Sequence, residues 1–399
     1  MSSEVETRLK VTLKPGQEKR ILAGHNWIFS NEVAGVEGAP ELGSLAEIVA
    51  AGGRSIGLAF YNPNSLIAGR MISQELVEPD VDFFRKRLTA ANALRERLRP
   101  GESSYRVCFG ESDGLPGLIV DRFASILVVQ ILSAGIERRL PALQAALEEI
   151  FQPKGIYLKN DHRMRSLEGL PSECRVLSGA VPETTQIMEG GLRFVAPIGE
   201  GQKTGFYFDQ ADNRAFLRPF FKDRAVLDLY CYTGAFAINA AKFGAKAVLG
   251  IDSSGPAVEL AHQNAELNGV SETAHFEEDD AENALLSFAE GKQPFKPDFI
   301  LLDPPSLVPA KKHLAKALRV YGKLNSWALR ALPKGGLLAT STCSHHVDRE
   351  TFVEMLRLAQ AKAQRPARLV ALRGQGSDHP ILLAMPETEY LHFALIEVL

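Results

Sequence analysis

Cysteine is scarce in this chain of 399 residues. Only Cys108, Cys174, Cys231 and Cys343 occur, far apart and without a CxxC pair. That argues against a zinc site or a disulfide framework and for a reducing cytoplasm; no metal is expected. No apolar run approaches the roughly 20 residues needed to span a bilayer. The stretch from Met1 to Lys10 is charged and lacks an apolar core, which argues against a signal peptide. A basic excess is missing too: 45 Lys and Arg stand against 48 Asp and Glu, a net charge of −3. Proteins that bind nucleic acid mainly through phosphates usually show the opposite balance. Any such affinity must therefore come from local basic patches and shape. What is present is an ordinary globular composition, 45% hydrophobic and 23% charged, with length for two or three domains that each bury a core.

Residues 1–75 read as small and β-rich. Short apolar stretches (Leu9 to Leu13, Leu45 to Val49, Ile56 to Tyr61, Leu66 to Ile72) are separated by Gly, Pro and Asn turns, a barrel-like pattern. Between the first two, Pro15 to His25 reads as a short helix ending at Gly24. Residues 76–190 form a middle α+β unit. Its parts are a helix from Val81 to Leu98, a hairpin over Gly117–Phe123 and Ser125–Leu132, a helix from Ile136 to Phe151, and a strand from Gly155 to Lys159. A further hairpin, Gly191 to Phe208, opens the last domain, 191–399. There the rhythm becomes strand, helix, strand, helix: strands at Ala225–Leu229, Ala247–Asp252, Phe299–Asp303 and Gly336–Ser341, with helices at Ala235–Phe243 and Ala257–Asn268. Apolar strands alternating with helices imply an α/β fold with a parallel sheet covered on both faces. Ligands in such sheets bind at the carboxyl ends of the strands.

The chemistry-bearing residues lie at those ends. The run Asp228-Leu229-Tyr230-Cys231-Tyr232-Thr233-Gly234 joins the first strand to its helix. Gly234 permits close backbone approach, but the GxGxxG phosphate-binding spacing is absent, which counts against a dinucleotide. S-adenosylmethionine carries no phosphate and two cationic groups, so strand-end carboxylates suit it. Asp252 ends the second strand, where a carboxylate can accept from both ribose hydroxyls, with Ser253 beside it. Asp280 falls where another strand would end, within reach of an adenine amino group. The plainer alternative makes these Asp residues helix N-caps. Tyr230, Cys231 and Thr233 line the same loop, and Cys231 reads as a pocket wall.

Asp303-Pro304-Pro305 follows a fully apolar strand. Prolines lack an N–H and fix φ, so the loop is stiff and its carbonyls are left pointing free, suited to a planar group with an amino edge. Cys343 follows the next strand in Ser341-Thr342-Cys343-Ser344. A thiolate adding to carbon-6 of cytosine makes carbon-5 nucleophilic; a small buried hydrophobe is the alternative, and position alone leaves both open.

These residues resemble the RlmI-like 23S rRNA cytosine-C5 methyltransferases. The matching stretches include Leu13-Lys14-Pro15-Gly16 with His25 and Trp27, Asp113-Gly114-Leu115-Pro116-Gly117, Glu168-Gly169-Leu170, and Gly199 to Tyr207 with Asp209-Gln210 and Asn213-Arg214. The donor loop, Asp303-Pro304-Pro305 and the Cys343 motif complete the set. The resemblance implies an N-terminal β-barrel PUA domain, a middle α+β domain and a C-terminal Rossmann-like class I methyltransferase domain. It implies S-adenosylmethionine as donor, RNA as partner and Cys343 as nucleophile, with Asp303 and Pro304 beside the base. Phe206, Gln210 and Asp303 are assigned with it to the donor pocket. Lys311, Lys312, Lys316 and Arg319, with Lys14 and Lys203, are the candidate RNA contacts; a homodimer is compatible with all of this. For Arg85, Lys86, Arg87, Arg95, Arg97 and Arg99 on the middle helix a solvated face is the leading reading, and Arg163 and Arg165 are undecided. The competing readings are transfer to an exocyclic amine such as guanine-N2, with Cys343 structural, and a non-catalytic RNA-binding or ribosome-assembly protein.

Overall fold

The structure, a computed structural model, describes residues 8–399 except Glu200, Gln202, Lys203, Pro309, Ala310 and the side chain of Lys311. The chain forms two compact units. One comprises Met1–Thr185, Pro197–Phe208 and Ser377–Thr388, the other Gln186–Ala196, Asp209–Gly376 and Glu389–Leu399.

The first unit opens with six strands: β1 (Leu9–Leu13), β2 (Trp27–Phe29), β3 (Val33–Glu37), β4 (Ser44–Val49), β5 (Ser55–Tyr61) and β6 (Ile67–Ser73). They pair in the order β2-β6-β5-β4-β1-β3, with β1 and β4 parallel. Alternation decides the faces: Leu9, Val11 and Leu13 are buried while Lys10 points out. The short helix α1 (Glu18–Leu22) precedes Gly24, whose φ of 100° ends it. Helix α2 (Val81–Leu98) starts at Asp80, whose carboxylate accepts the Phe83 N–H at 3.0 Å. It packs on a second sheet of β7 (Ser104–Phe109), β8 (Leu118–Phe123), β9 (Ile126–Ile131), β10 (Gly155–Asn160) and β11 (Glu173–Gly179), ordered β11-β10-β9-β8-β7. One core joins Leu58, Phe60 and Ile72 of the first sheet to Val107, Leu127 and Leu158 of the second.

Three expectations change. The helix expected over Ile136–Phe151 is two, α3 (Ala134–Glu137) and α4 (Leu140–Phe151). Pro141 lacks the N–H that a continuous helix needs and starts a new one instead. The hairpin expected from Gly191 lies earlier, as β12 (Thr184–Glu189) and β13 (Leu192–Pro197), because Gly190 and Gly191 both take positive φ and form the turn. The arginines of α2 are not a uniformly solvated face. Arg95 is fully buried and binds both oxygens of Asp113 at 2.5 and 2.8 Å. Arg99 binds Asp378 at 3.0 Å, and Arg87 donates to the carbonyls of Ile72 and Gly114. Arg165 is buried as well, with Glu137 at 3.0 Å.

The second unit is built on seven strands: β14 (Ala225–Leu229), β15 (Ala247–Asp252), β16 (Ala274–Glu278), β17 (Phe299–Leu302), β18 (Leu337–Thr342), β19 (Ala367–Arg373) and β20 (His392–Val398). Their order is β16-β15-β14-β17-β18-β20-β19. The first five are parallel; β20 runs antiparallel to β18 and to β19. Helix α5 (Ala211–Leu217) leads in, and α6 (Ala235–Lys242), α7 (Gly255–Leu267), α8 (Ala281–Ala289), α9 (Leu314–Ala331) and α10 (Arg349–Ala363) connect the strands. Leu227, Leu229, Ile300, Leu302 and Leu338 bury against Leu285, Leu324, Leu329 and Phe352 from these helices. Full burial on both faces is why the strands read as continuous apolar runs. The chain order reverses beside β14, so the loops after β14, β15, β17 and β18 leave the same edge.

Candidate donor and catalytic site

The loop after β14 is held in an unusual backbone. Tyr230 (φ 62°) and Tyr232 (φ 49°) take left-handed conformations without being glycine, and Gly234 (φ 82°) follows. A Cβ at Gly234 would meet the Phe276 ring at 2.9 Å and Ala261 Cβ at 3.1 Å. Its freedom therefore serves the helix–strand packing as well as the turn. The carboxylate of Asp252 braces the loop: one oxygen accepts the Tyr232 N–H at 2.9 Å and the other the Ser254 N–H at 3.0 Å. Asp228, at the end of β14, accepts the Ala237 N–H of α6 at 2.9 Å.

Asp228 feels the charges of two other carboxylates here. Burial pushes the Asp228 carboxyl well above the ordinary range, the Ala237 N–H opposes this, and the charges of Asp303 and Asp252 push it further up. Burial, with Glu282, Asp280 and Asp252 nearby, raises the Tyr230 phenol to about 12. Burial, then Asp228 and Asp252, raises the Cys231 thiol well above its usual value, leaving it an inert wall group. The clustered negative charge is a poor arrangement by itself and a good one for a cation. Thr233 adds an orphan: its Oγ1 is buried and meets no hydrogen-bond partner among the described residues, while its carbonyl accepts from Asn264 at 3.1 Å. Buried polar atoms are normally paired. The residues present therefore fit a compact, cationic ligand with polar edges, which describes S-adenosylmethionine. Ser253 is exposed beside Asp252. Asp280 is a helix cap, its Oδ1 accepting the Asn283 N–H at 2.8 Å, though Tyr230 places it in the same electrostatic neighbourhood.

On the other side of β14, Asp303 follows β17 and Cys343 follows β18. The Ser341 hydroxyl binds the Asp303 carboxylate. Gln210 lies beside it, donating from Nε2 to Ser341 Oγ at 3.3 Å and accepting from Asn213 at 2.7 Å. Gln210 thus stands on the Asp303 side of the cluster. Pro304 is buried and Cys343 half-buried. The Pro305 carbonyl is not left free as the sequence suggested: the Tyr321 hydroxyl of α9 donates to it at 3.2 Å, because the loop folds back over that helix. Ser341, Ser344, Asn213 and Tyr321 were missed as site residues. The serines flanking Cys343 were the one visible signal; nothing local marks Tyr321.

The remaining candidates disperse. Lys312 is exposed just before α9, and Lys316 and Arg319 in its first turns; the side chain of Lys311, and all of Lys203, lie outside the described residues. Lys14 and Phe206 belong to the first unit. There Lys14 donates to the Asn31 carbonyl at 2.7 Å, and the Phe206 ring packs on Phe208 at 5.3 Å. A groove of about 980 Å³ lies between α9 and α10, lined by Leu318, Gly322, Met355 and Leu358. None of the strand-end carboxylates lines it, so the donor site is defined by its chemistry and not by this volume.

Known proteins identify the family. A PUA-like domain family matches residues 11–74, and the S-adenosylmethionine-dependent methyltransferase family matches residues 107–349. Ribosomal RNA large subunit methyltransferase I of Erwinia tasmaniensis is 38% identical over 388 residues, covering 96% of this chain and 98% of that protein. The protein of the same name from Aeromonas hydrophila subsp. hydrophila is 38% identical over 387 residues, covering 96% and 97%. Among solved structures, one from Streptococcus mutans described as a SAM-dependent methyltransferase has a TM-score of 0.83 at 21% identity, covering 98% of this chain and 100% of its own. A second methyltransferase, solved with SAH, has a TM-score of 0.84 at 20% identity with the same coverage; both likenesses bear on the fold alone. The chain belongs to the S-adenosylmethionine-dependent methyltransferase family, in the group whose members are named ribosomal RNA large subunit methyltransferase I, and carries an N-terminal PUA-like domain and a Rossmann-like α/β domain.

Proposed function

We propose that the protein transfers the methyl group of S-adenosylmethionine to carbon-5 of a cytosine in large-subunit ribosomal RNA, with Cys343 as nucleophile. The observation that carries this is the placement of Cys343 on the loop after β18, with Ser341 two residues before it bound to Asp303. A thiol and a carboxylate on adjacent strand ends suit covalent addition to carbon-6 and stabilisation of the polarised base. The donor, when bound, supplies an electrophilic methyl. Asp228, Thr233, Gly234, Asp252, Ser253 and Asp280, with Tyr230 and Cys231 as walls, would hold it. Commitment of the Pro305 carbonyl to Tyr321 weighs against the exocyclic-amine reading, which wants that loop's carbonyls facing the substrate.

The names of the relatives support ribosomal RNA as the substrate class. The PUA-like residues 1–75 and the middle residues 76–190 would present the RNA to the methyltransferase residues 191–399. Lys312, Lys316 and Arg319 would rim the active site, in the cytoplasm, where cysteines persist as thiols.

RNA carrying 5-fluorocytosine at the target tests the chemistry. Carbon-5 then has no proton to lose, so the protein stays bonded to the RNA after methyl transfer. The adduct should survive denaturing gels, require S-adenosylmethionine and map to the Cys343 peptide. Cys343→Ala should abolish adduct and methylation while donor binding persists; Cys231→Ala should still form the adduct. An adduct at Cys231, or full methylation without Cys343, overturns the mechanism and favours amino transfer.

A further inference from the structure

Two serines near Cys343, Ser341 and Ser344, reach across to the loop that carries Asp303. Ser341 binds the Asp303 carboxylate. Ser344 is fully buried, and its Oγ lies 3.1 Å from Ser306 Oγ and 2.9 Å from the Tyr321 hydroxyl. Tyr321 is 1% exposed within α9, its ring in the sheet–helix core. Its hydroxyl also accepts the Leu307 N–H at 3.1 Å and donates to the Pro305 carbonyl at 3.2 Å.

A phenol has one proton and two lone pairs, and here all three are used. The proton goes to Pro305, and the lone pairs take the Leu307 N–H and the Ser344 hydroxyl proton. Ser344 oxygen then accepts from Ser306, so the chain of donors runs in one direction without a gap. Burial pushes the Tyr321 ionisation up, so the proton that binds Pro305 is retained at neutral pH. A hydroxyl needed only to satisfy itself in a core requires one partner. This one joins two separate loops, and those loops carry the thiol and the carboxylate.

We propose that Tyr321 is a positioning residue for methyl transfer: its hydroxyl ties the Cys343 loop to the Asp303 loop, fixing the distance at which thiol and carboxylate meet the base. The chemistry invoked rests on the function proposed above; the clamp itself rests on the hydrogen bonds alone. Reacting groups misplaced by about 1 Å can cost on the order of 100-fold in rate, so loosening the tie should act on the chemical step and spare ligand binding.

Tyr321→Phe removes the hydroxyl and keeps the ring in the core. The full-length variant is compared with the wild type in single-turnover adduct formation on 5-fluorocytosine RNA, with donor affinity by calorimetry and thermal unfolding measured alongside. The adduct rate should fall at least about tenfold, with donor affinity and RNA KM unchanged and the protein folded at the assay temperature. Ser344→Ala should lose at least as much, since it removes both the Tyr321 and the Ser306 links to the Cys343 loop. The double variant should lose less than the two single losses combined, because both changes break the same Tyr321–Ser344 bond. An undiminished adduct rate in Tyr321→Phe overturns the proposal. So does a loss that follows donor affinity or unfolding, which marks a purely structural tyrosine. If the wild type methylates RNA without any adduct, the cytosine-C5 reading fails instead, and the same comparison of methyl-transfer rates decides the role of Tyr321.

Discussion

At the scale of single residues, the site depends on carboxylates that do two things at once. Asp252 was legible as a strand-end carboxylate, but its hydrogen bonds to the Tyr232 and Ser254 N–H groups show that it also shapes the loop after β14. Replacing it with Ala should remove two charge-assisted bonds to the ribose, each worth about 1.5–3 kcal/mol, and release the Tyr232 amide. Donor affinity measured by calorimetry should fall at least about tenfold; an unchanged affinity would remove Asp252 from the ribose contact. Asp280 shows the converse. Sequence offered it as a ligand or a helix cap, and its bond to the Asn283 N–H makes it a cap that still sits near Tyr230. The two roles share one residue type because a carboxylate at a strand-to-helix junction meets free N–H groups in either case.

At the scale of elements, α9 divides its duties along its length. Lys312 just before it and Lys316 and Arg319 in its first turns are exposed, while Tyr321, Leu324, Ala328 and Leu329 are buried further along. Neutralising the three basic residues should weaken RNA binding and lower the slope of log affinity against log salt by about 0.7–0.9 for each phosphate left without its cation. Donor affinity should stay as it was. A fall in donor affinity with RNA binding intact would make the segment a wall of the donor pocket. The parallel strands β14, β15, β17 and β18 were readable because both faces are buried, leaving near-continuous apolar runs. The antiparallel β19 and β20 were not read. Leu369 and Val370 of β19 are exposed at the sheet edge, and no following helix or tight turn marks those strands as part of the rhythm.

At the scale of the whole molecule, the most telling contacts are among those far apart in sequence. Asp378 is fully buried and accepts from Arg99 Nη2 and the Arg106 N–H, each at 3.0 Å, with His379 Nδ1 at 2.8 Å. Burial alone would raise its carboxyl, yet His379, Arg99 and the Arg106 amide outweigh that and hold it at about 2, against 3.8 for a free group. A folded-state pKa below the unfolded one stabilises the protein above the unfolded value, and that stability is lost as pH falls through the folded value. The window is therefore about pH 4 down to about 2, and the contribution is about 2 kcal/mol. Chemical denaturation of Asp378→Asn should show lower stability at neutral pH and a flatter loss across that window; a variant with the wild-type acid limb would remove Asp378 from the linkage. Nothing in the sequence around Asp378 announces this, just as nothing around Arg95 or Arg99 distinguishes a buried arginine from a solvated one. Helical spacing places a charge on a face, but what covers that face comes from elsewhere in the chain. By itself the sequence determined the alternation of strands and helices, the strand-end carboxylates and the cysteine at the active edge, because each depends on residues a few positions apart. Only the tertiary structure decided that Tyr321 clamps two loops, that Pro305 is already engaged, and that Arg87, Arg95 and Arg99 of α2 and its C-terminus turn inward. Those outcomes depend on closing long stretches of chain, where burial and hydrogen-bond satisfaction choose the partners and local pattern carries no record of the choice.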